Sequence, residues 1–440
     1  MKPKTSENES KQLELGKVRL ASFLNISHEL VRLADAMDWD HFCAKFGEQF
    51  NDRGRPALAT RLMVGLTYLK YVYDLSDEAV VAQFLESGYW QYFCGFEYFQ
   101  HEAPCDSSSL TRWRKRLGED GAEKLLTETL AVAHKLGLIT LRSCERVIVD
   151  TTVQEKNISF PTDSKLINKA RENLVDAAKA AGIELRQTYT FKGKYEAHRC
   201  SRLLHAKQHN RAKTSIKRQK RYLARVIRDV KRKCEKPEGQ LLEALKLAMK
   251  VFLQDRKSEN KIYSLHEPHV ECISKGKARQ PYEFGNKVSL AVTAKNPWII
   301  GAMSFFNRPY DGATLKPAII QVERITGVRV KEIFVDKGYR GKAHHPEGKT
   351  VLISGRKNLR PILQRYLKRR ASIEPIIGHS KHDHRMEVNL LKGEHGDRIN
   401  PILAGAAFNM RKILRSFFLR LFFVLKFYFR RRLNTALIAA

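Results

Sequence analysis

The spacing of apolar residues over positions 1–140 predicts a helical domain. Ser27 is expected to cap a helix whose apolar positions recur at helical intervals over residues 30–37, and a leucine stripe over residues 58–69 predicts a second helix. Ser76, followed by two acids, is typical of a helix start, and residues 106–118 predict a helix with one apolar and one cationic side. Short connected helices of this kind predict an N-terminal DNA-binding domain.

A different pattern begins at residue 146, where a continuous run of apolar, β-branched residues predicts a buried strand that ends at Asp150. Alternating apolar residues over 286–294 and 298–306 predict two more strands, joined by a turn at Asn296-Pro297. The pattern therefore changes from helices to a sheet.

A helix over residues 315–325, closed by Gly327, follows the hairpin, and then come a strand that ends at Asp336 and a strand over 350–355. Two predicted strands thus end in an aspartate, at the sheet edge where the sites of open α/β sheets gather. For Asp150, a structural role as a helix cap is an equal alternative.

Between the first two of these strands, residues 165–262 return to helical spacing, with a dense run of lysine and arginine at 203–233. The narrow apolar stripe leaves cationic faces suited to phosphate contact, although a solvated arm has the same pattern. Without this insertion, the order of elements is three strands, a helix, two strands and a helix. That order predicts an α/β fold with an RNase H-like mixed sheet in residues 141–164 and 263–390, followed by C-terminal helices over 391–440.

The segment 361–386 predicts a basic helix that carries one central acid. Tyr366, Arg370, Glu374 and Lys381 fall on roughly one helical face. Pro375 is expected to kink or restart the helix at Glu374. Taken alone, this pattern is also that of a solvated helix in which Glu374 pairs with Arg370.

Charge narrows the choice of partner. The 440-residue chain has 80 Lys plus Arg against 47 Asp plus Glu, a formal net charge of +33, which attracts polyanions and nucleic acid above all. The seven cysteines are widely spaced without a Cys-x-x-Cys pair, which argues for a reducing compartment and against a zinc site. The polar N-terminus lacks the apolar core of a signal peptide, so we expect a cytoplasmic, nucleoid-associated protein.

The C-terminal region predicts two features. Asn400 is expected to cap a helix with Pro401 in its first turn. The apolar run at 416–432 is interrupted by Arg420 and Lys426, well short of the ~20 apolar residues that a membrane span requires. We interpret it as a basic amphipathic helix and expect no membrane partner.

Asp150, Asp336 and Glu374 are the candidate catalytic residues. Three carboxylates converging at a sheet edge can hold two Mg²⁺ ions about 3.5–4 Å apart, and a cationic protein brings a phosphodiester to them. Arg370 and Lys381 would neutralise the scissile phosphate.

These residues also carry a resemblance to a known family. The runs VIVDTTV, FVDKGYRG and RRASIEPIIGHSKHDHRM resemble the first-Asp strand, the second-Asp strand and the Glu helix of bacterial insertion-sequence transposases of the DDE type, in the insertion sequence five and four group. Arg370, Glu374 and Lys381 follow the R-E-K spacing of that family. Tyr366 departs from it, with three residues between it and Arg370, and Ala313 follows Asp311-Gly312 where related sequences have histidine.

The resemblance implies that the three acids bind Mg²⁺, for which Mn²⁺ can substitute, and that the protein cuts double-stranded DNA at transposon ends and joins it to target DNA. It also implies a homodimer in the synaptic complex. Residues expected to contact DNA phosphates lie near the acids and in the N-terminal domain: Arg370, Lys381, Tyr339, Arg340, Arg112 and Arg114.

Two alternatives have the same charge. One is a non-enzymatic DNA-binding protein derived from a transposase, and the other is a nuclease on the same fold that cleaves without joining strands. The three acids favour an enzyme over a binding protein, because a binding protein gains nothing from carboxylates placed against phosphates that they repel.

Overall fold

The computed structural model describes residues 18–47, 57–255, 257–274, 281–356 and 358–438, without the side chains of residue 47 and of residues beyond 417. Most of the predicted amphipathic helix at 416–432 therefore lies outside the described side chains. The chain divides into two compact units: Met1–Gln154, Lys287–Phe305 and Pro309–Ala440 form the first, and Glu155–Asn286 and Phe306–Arg308 form the second.

The first unit begins with helices: α1 Leu20–Phe23, α2 Glu29–Ala36, α3 Trp39–Gly47, α4 Thr60–Val72, α5 Asp77–Glu86, α6 Gly88–Phe93 and α7 Ser107–Lys135. Ser76 caps α5 as predicted, because its hydroxyl accepts a hydrogen bond from the amide of Ala79 at 3.0 Å. The prediction for Ser27 is wrong. His28 caps α2 instead, and its Nδ1 accepts from the amide of Leu30 at 3.2 Å.

The sheet contains strands β1 Arg146–Lys156, β2 Glu271–Ser274, β3 Tyr282–Thr293, β4 Ile299–Phe305, β5 Glu332–Val335, β6 Thr350–Ile353 and β7 Val388–Asn389. In the first unit, β1 lies between β3 and β5, β6 lies beyond β5, β4 pairs with β3 and β7 pairs with β1. The pairs β1–β5 and β5–β6 are parallel, whereas β3–β4 is the predicted antiparallel hairpin. Helices and a mixed sheet make the fold α/β, as predicted.

Helices α12 Asp311–Thr326, α13 Pro361–Arg369, α14 Ile373–His382 and α15 Gly393–Ile438 complete the first unit. Gly327 closes α12 in the left-handed conformation, with φ of 65°, as predicted. The prediction that α15 starts at Asn400 is wrong, since Pro401 lies inside the helix. Proline has no amide hydrogen to give to the carbonyl of Asp397, and that carbonyl accepts instead from Ser304 Oγ at 2.5 Å and from Gln154 Nε2 at 3.3 Å.

Asn400 is a buried polar link and not a cap. Its amide donates to Gln154 Oε1 at 2.7 Å and to the carbonyl of Arg385 at 2.9 Å, and its oxygen accepts from the hydroxyl of Tyr71 at 2.8 Å. These bonds satisfy a side chain that is 2% exposed, and they tie α15 to α4 and β1.

The second unit is mainly helical, with α8 Asp163–Ala180, α9 Thr190–His205, α10 His209–Lys233 and α11 Gly239–Leu253. Strand β2 pairs antiparallel with residues 282–285 of β3. Leu174, Leu223, Val226 and Leu245 belong to a separate apolar core. Helix α10 buries that narrow side and exposes most of its lysines and arginines. Helices thus occupy the segment whose spacing predicted them, and no helix among the described residues is long and apolar enough to cross a membrane.

Candidate active site

Two of the three predicted acids lie at the same level of the sheet. Ile148 of β1 pairs with Phe334 of β5 in parallel, and Asp150 and Asp336 each come two residues after these partners, Asp150 within β1 and Asp336 just after β5. Paired residues of parallel strands point to the same face, and residues two apart share that face. One prediction here is wrong: β1 does not end at Asp150 but continues to Lys156, so the carboxylate is in mid-strand.

The Asp150 carboxylate is mostly buried, with 17% of the side chain exposed. Its Oδ1 accepts from the amide of Thr151 at 2.8 Å, and its Oδ2 lies 3.4 Å from Nη1 of Arg370. Burial raises the pKa of Asp150 from 3.8 to about 6. The charges of Asp336 and Asp311 also raise this pKa, whereas the Thr151 amide and Arg370 lower it.

Asp336 follows β5 directly and begins a 3₁₀ turn over Lys337–Tyr339, where its Oδ1 accepts from the amide of Gly338 at 2.8 Å. A Cβ atom placed on Gly338 would lie 3.0 Å from Oδ1 of Asp336 and 3.1 Å from Oδ2 of Asp311. The two oxygens are therefore no more than about 6 Å apart. This turn brings a further carboxylate, Asp311, next to the predicted one.

Asp311 is the first residue of α12, and from the sequence it stands out only as part of a family motif. Its Oδ1 accepts from Thr151 Oγ1 at 2.9 Å and from Lys287 Nζ at 2.8 Å. One signal could have identified Asp311 from the sequence: it is an acid at the start of a helix that follows a hairpin. Such a helix begins near the sheet edge where β1 and β5 carry their aspartates.

Glu374 lies at the edge of this group. Helix α13 ends at Arg369, a 3₁₀ turn spans Arg370–Ser372, and α14 restarts at Ile373. The break thus comes just before the position expected from Pro375. Glu374 is 62% exposed, and Nη2 of Arg370 lies 3.3 Å from its Oε1. Arg370 therefore links Glu374 to Asp150, whereas the charge of Asp336 acts directly on Asp150. Among the described residues, no set of three or more His, Cys, Asp or Glu side chains is arranged to hold a metal ion.

The residues expected to contact phosphate fall into two groups. Arg112 and Arg340 are exposed, and Lys381 is half-buried on α14. Tyr339 and Arg114 are buried, and for these two the expectation needs correction. Tyr339 has no exposed surface, and Arg114 is 7% exposed with its guanidinium held by Asp77, so neither reaches a DNA phosphate in this structure.

Arg114 is buried together with its charge partners in an ion-pair network on α4, α5 and α7. Its Nη1 and Nη2 lie 2.8 and 2.5 Å from the two oxygens of Asp77, and Nζ of Lys70 lies 2.6 Å from the same carboxylate. Burial lowers the pKa of Lys70 to about 8. Arg114 therefore holds the N-terminal helices together.

Comparison with known proteins adds the family. Residues 18–116 match the family model of a transposase domain (DUF772). A protein of Rhizobium meliloti, described as uncharacterized protein ORF8 in nfe locus, is 53% identical over 195 residues, which make up 44% of this chain and 94% of that protein. The chain belongs to a transposase family. No solved structure matches it.

Membership of a transposase family implies, in general terms, a transposase-related function and a DNA-cleaving enzyme. The family model covers the N-terminal helices and stops before Asp150. The family match therefore does not extend to Asp150, Asp336 or Glu374.

Proposed function

We propose that this protein is a DDE-type DNA transposase of the insertion sequence five and four group, which binds the ends of its insertion sequence and carries out metal-dependent DNA cleavage and strand transfer. One observation supports this most: Asp150 on β1 and Asp336 just after the parallel strand β5 each come two residues after the paired residues Ile148 and Phe334, and Arg370 connects Asp150 to Glu374. The sheet around them has the predicted order of strands, with α12 between β4 and β5, which supports an RNase H-like fold.

The chemistry of these side chains fits Mg²⁺. Carboxylate oxygens are the hard ligands that Mg²⁺ and Mn²⁺ prefer, and the burial and mutual repulsion that raise the pKa of Asp150 are offset when a cation binds. Asp150, Asp336 and Glu374 would hold the ions. A bound divalent cation supplies electrostatic stabilisation of the phosphate and a more acidic water or hydroxyl nucleophile.

The cationic residues of the site have a separate role. Arg370 neutralises Asp150 and Glu374 in this structure, and its guanidinium can turn to a phosphate oxygen when a cation takes those carboxylates. Lys381, Arg340 and Arg112 remain our proposed phosphate contacts. Arg114 and Tyr339 do not, because both are buried.

DNA binding rests on charge. The net charge of +33 and the exposed cations of α10 supply a surface that releases counterions from double-stranded DNA. We propose transposon ends and target DNA as partners, a homodimer in the synaptic complex, and a cytoplasmic, nucleoid-associated location.

The test is cleavage and joining of DNA that carries the ends of the element, in Mg²⁺ and in Mn²⁺. We expect Asp150→Asn, Asp336→Asn and Glu374→Gln each to lower the single-turnover cleavage rate at least a hundredfold while DNA affinity changes less than threefold. Asp383→Asn is the matched control, since Asp383 is a half-exposed acid just after α14 that pairs with His379 at 2.8 Å. This variant should cleave at the wild-type rate.

Each alternative predicts its own result. Cleavage without joining indicates a nuclease, and binding without cleavage by the wild-type protein indicates a non-enzymatic DNA-binding protein. If one acid variant kept wild-type activity, that residue would be excluded from the catalytic set.

A further inference from the structure

While Lys287 and Arg370 occupy Asp311 and Asp150, the acids of the site, all within the described residues, are not arranged around a metal ion. We propose that Asp311 is a fourth acid of the site, that it binds the divalent cation together with Asp150 and Asp336 once the cation displaces these two protein cations, and that Lys287 competes with the cation for it. This inference rests on the proposed function only in taking the site to bind a divalent cation. It adds a ligand from α12 and a built-in counter-ion from β3 to the three acids named above.

The first support is the position of the Asp311 carboxylate. Its Oδ2 faces Gly338, because a methyl group on Gly338 would lie 3.1 Å from this oxygen and 3.0 Å from Oδ1 of Asp336. The other oxygen accepts from the hydroxyl of Thr151, and the amide of Thr151 in turn donates to Asp150. Asp311 thus lies beside the turn that follows Asp336, and it accepts a hydrogen bond from Thr151, the residue that follows Asp150.

The second support is Lys287, whose side chain is only 16% exposed. Its Nζ donates to Asp311 Oδ1 at 2.8 Å and to the carbonyl of Pro309 at 2.7 Å. A lysine held there supplies the positive charge that the acids require when no metal is bound. Arg370 does the same for Asp150, so protein cations occupy the carboxylates that a metal ion would take.

The third support is an unpartnered polar group that points to a ligand. The hydroxyl of Tyr339 is fully buried, and no hydrogen bond of good geometry reaches it within the described structure, although the Thr314 side chain lies close enough to act on it. Burial first, and then the negative charges of Asp150, Asp311 and Asp336, raise the pKa of Tyr339 well above 10, with Thr314 acting in the opposite direction. A buried donor among three acids can hydrogen-bond to a ligand oxygen or to a metal-bound water. Such a bond would offset the free-energy cost of burying the hydroxyl.

The experiment is titration of the DNA-free, full-length protein with Mn²⁺, with free Mn²⁺ measured by electron paramagnetic resonance. Asp311→Asn keeps the shape and the acceptor oxygen but removes the charge, and we expect it to weaken Mn²⁺ binding at least tenfold. Lys287→Met removes the competing ammonium group and should strengthen binding at least threefold. The two substitutions therefore have opposite expected effects.

Three further measurements decide between explanations. Thr151→Val removes only the hydroxyl that joins Asp311 to the Asp150 segment, and Mn²⁺ binding within threefold of wild type is expected if Asp311 is itself a ligand. A tenfold loss in Thr151→Val, equal to that in Asp311→Asn, would overturn the ligand role in favour of an indirect one. Thermal unfolding checks that each variant is folded, and Asp120→Asn, on the exposed side of α7, serves as the charge-matched control.

Failure of this inference is separable from failure of the proposed function. Wild-type affinity in Asp311→Asn, with binding lost in Asp150→Asn, overturns the inference and leaves the transposase proposal intact. Loss of binding in Asp311→Asn supports it even if the wild-type protein cleaves no DNA. Weaker binding in Lys287→Met would exclude competition by the ammonium group.

Discussion

Asp150 is expected to destabilise the metal-free protein at neutral pH, so that Asp150→Asn should raise stability while it removes activity. The rise of its pKa from 3.8 to about 6 means that the folded state prefers the protonated acid. Each pKa unit is worth about 1.4 kcal/mol, so ionised Asp150 costs about 3 kcal/mol of unfolding free energy above pH 6. Asparagine carries no charge at any pH and avoids that cost.

The direction in which the stability changes with pH follows from proton binding by Asp150. Between pH 3.8 and about 6 the folded state holds the proton and the unfolded state does not, so this residue's favourable contribution is complete at low pH and is lost as pH rises through the folded pKa. We expect a net gain of about 2 kcal/mol for Asp150→Asn at pH 7.5, because the amide NH₂ group adds a donor that needs a partner. Near pH 4 the difference between the two proteins should nearly vanish.

The assay is calorimetric unfolding of both proteins in EDTA from pH 4.5 to 8, with Asp120→Asn as the control. The expected shift in Tm is a few degrees at pH 7.5 and shrinks toward low pH. Mg²⁺ should stabilise the wild-type protein and close the gap. A variant less stable than wild type at pH 7.5, or a gain that does not depend on pH, would show that the carboxylate is not held in an unfavourable charged state.

Three other predictions concern the network at Asp77, the turn at Gly338 and the DNA-binding surface. Asp77→Ala leaves Lys70 and Arg114 buried without their shared partner, so we expect a loss of about 3–5 kcal/mol in urea unfolding; a loss below about 1 kcal/mol would mean that the network contributes little. Gly338→Ala places a methyl group against two carboxylates and should weaken Mn²⁺ binding at least tenfold, whereas Gly378→Ala, with open space around it, should leave binding unchanged. DNA affinity should fall steeply as the salt concentration rises. Removing charge from the exposed face of α10 should reduce the slope of log affinity against log salt. A flat plot for the wild-type protein would contradict an interface based on phosphate contacts.

Local patterns were enough to predict the elements that form the site. The apolar runs before Asp150 and Asp336 are strands, Ser76 caps its helix, and Gly327 ends α12, because each depends on hydrogen bonds or burial within a few neighbouring residues. The α/β class followed from the order of these elements along the chain.

Residues with distant partners could not be interpreted from the sequence in the same way. In the sequence Arg114 has the pattern of a DNA contact, but in the structure it pairs with Asp77 of α5. Asn400 has the pattern of a helix cap, but in the structure its amide group hydrogen-bonds to Gln154 and Tyr71. Asp311 joins the site only because α12 returns to the edge where Thr151 and Gly338 lie. Helical and strand periodicity report which face is buried, whereas the identity of a polar partner far away in sequence depends on how the elements pack.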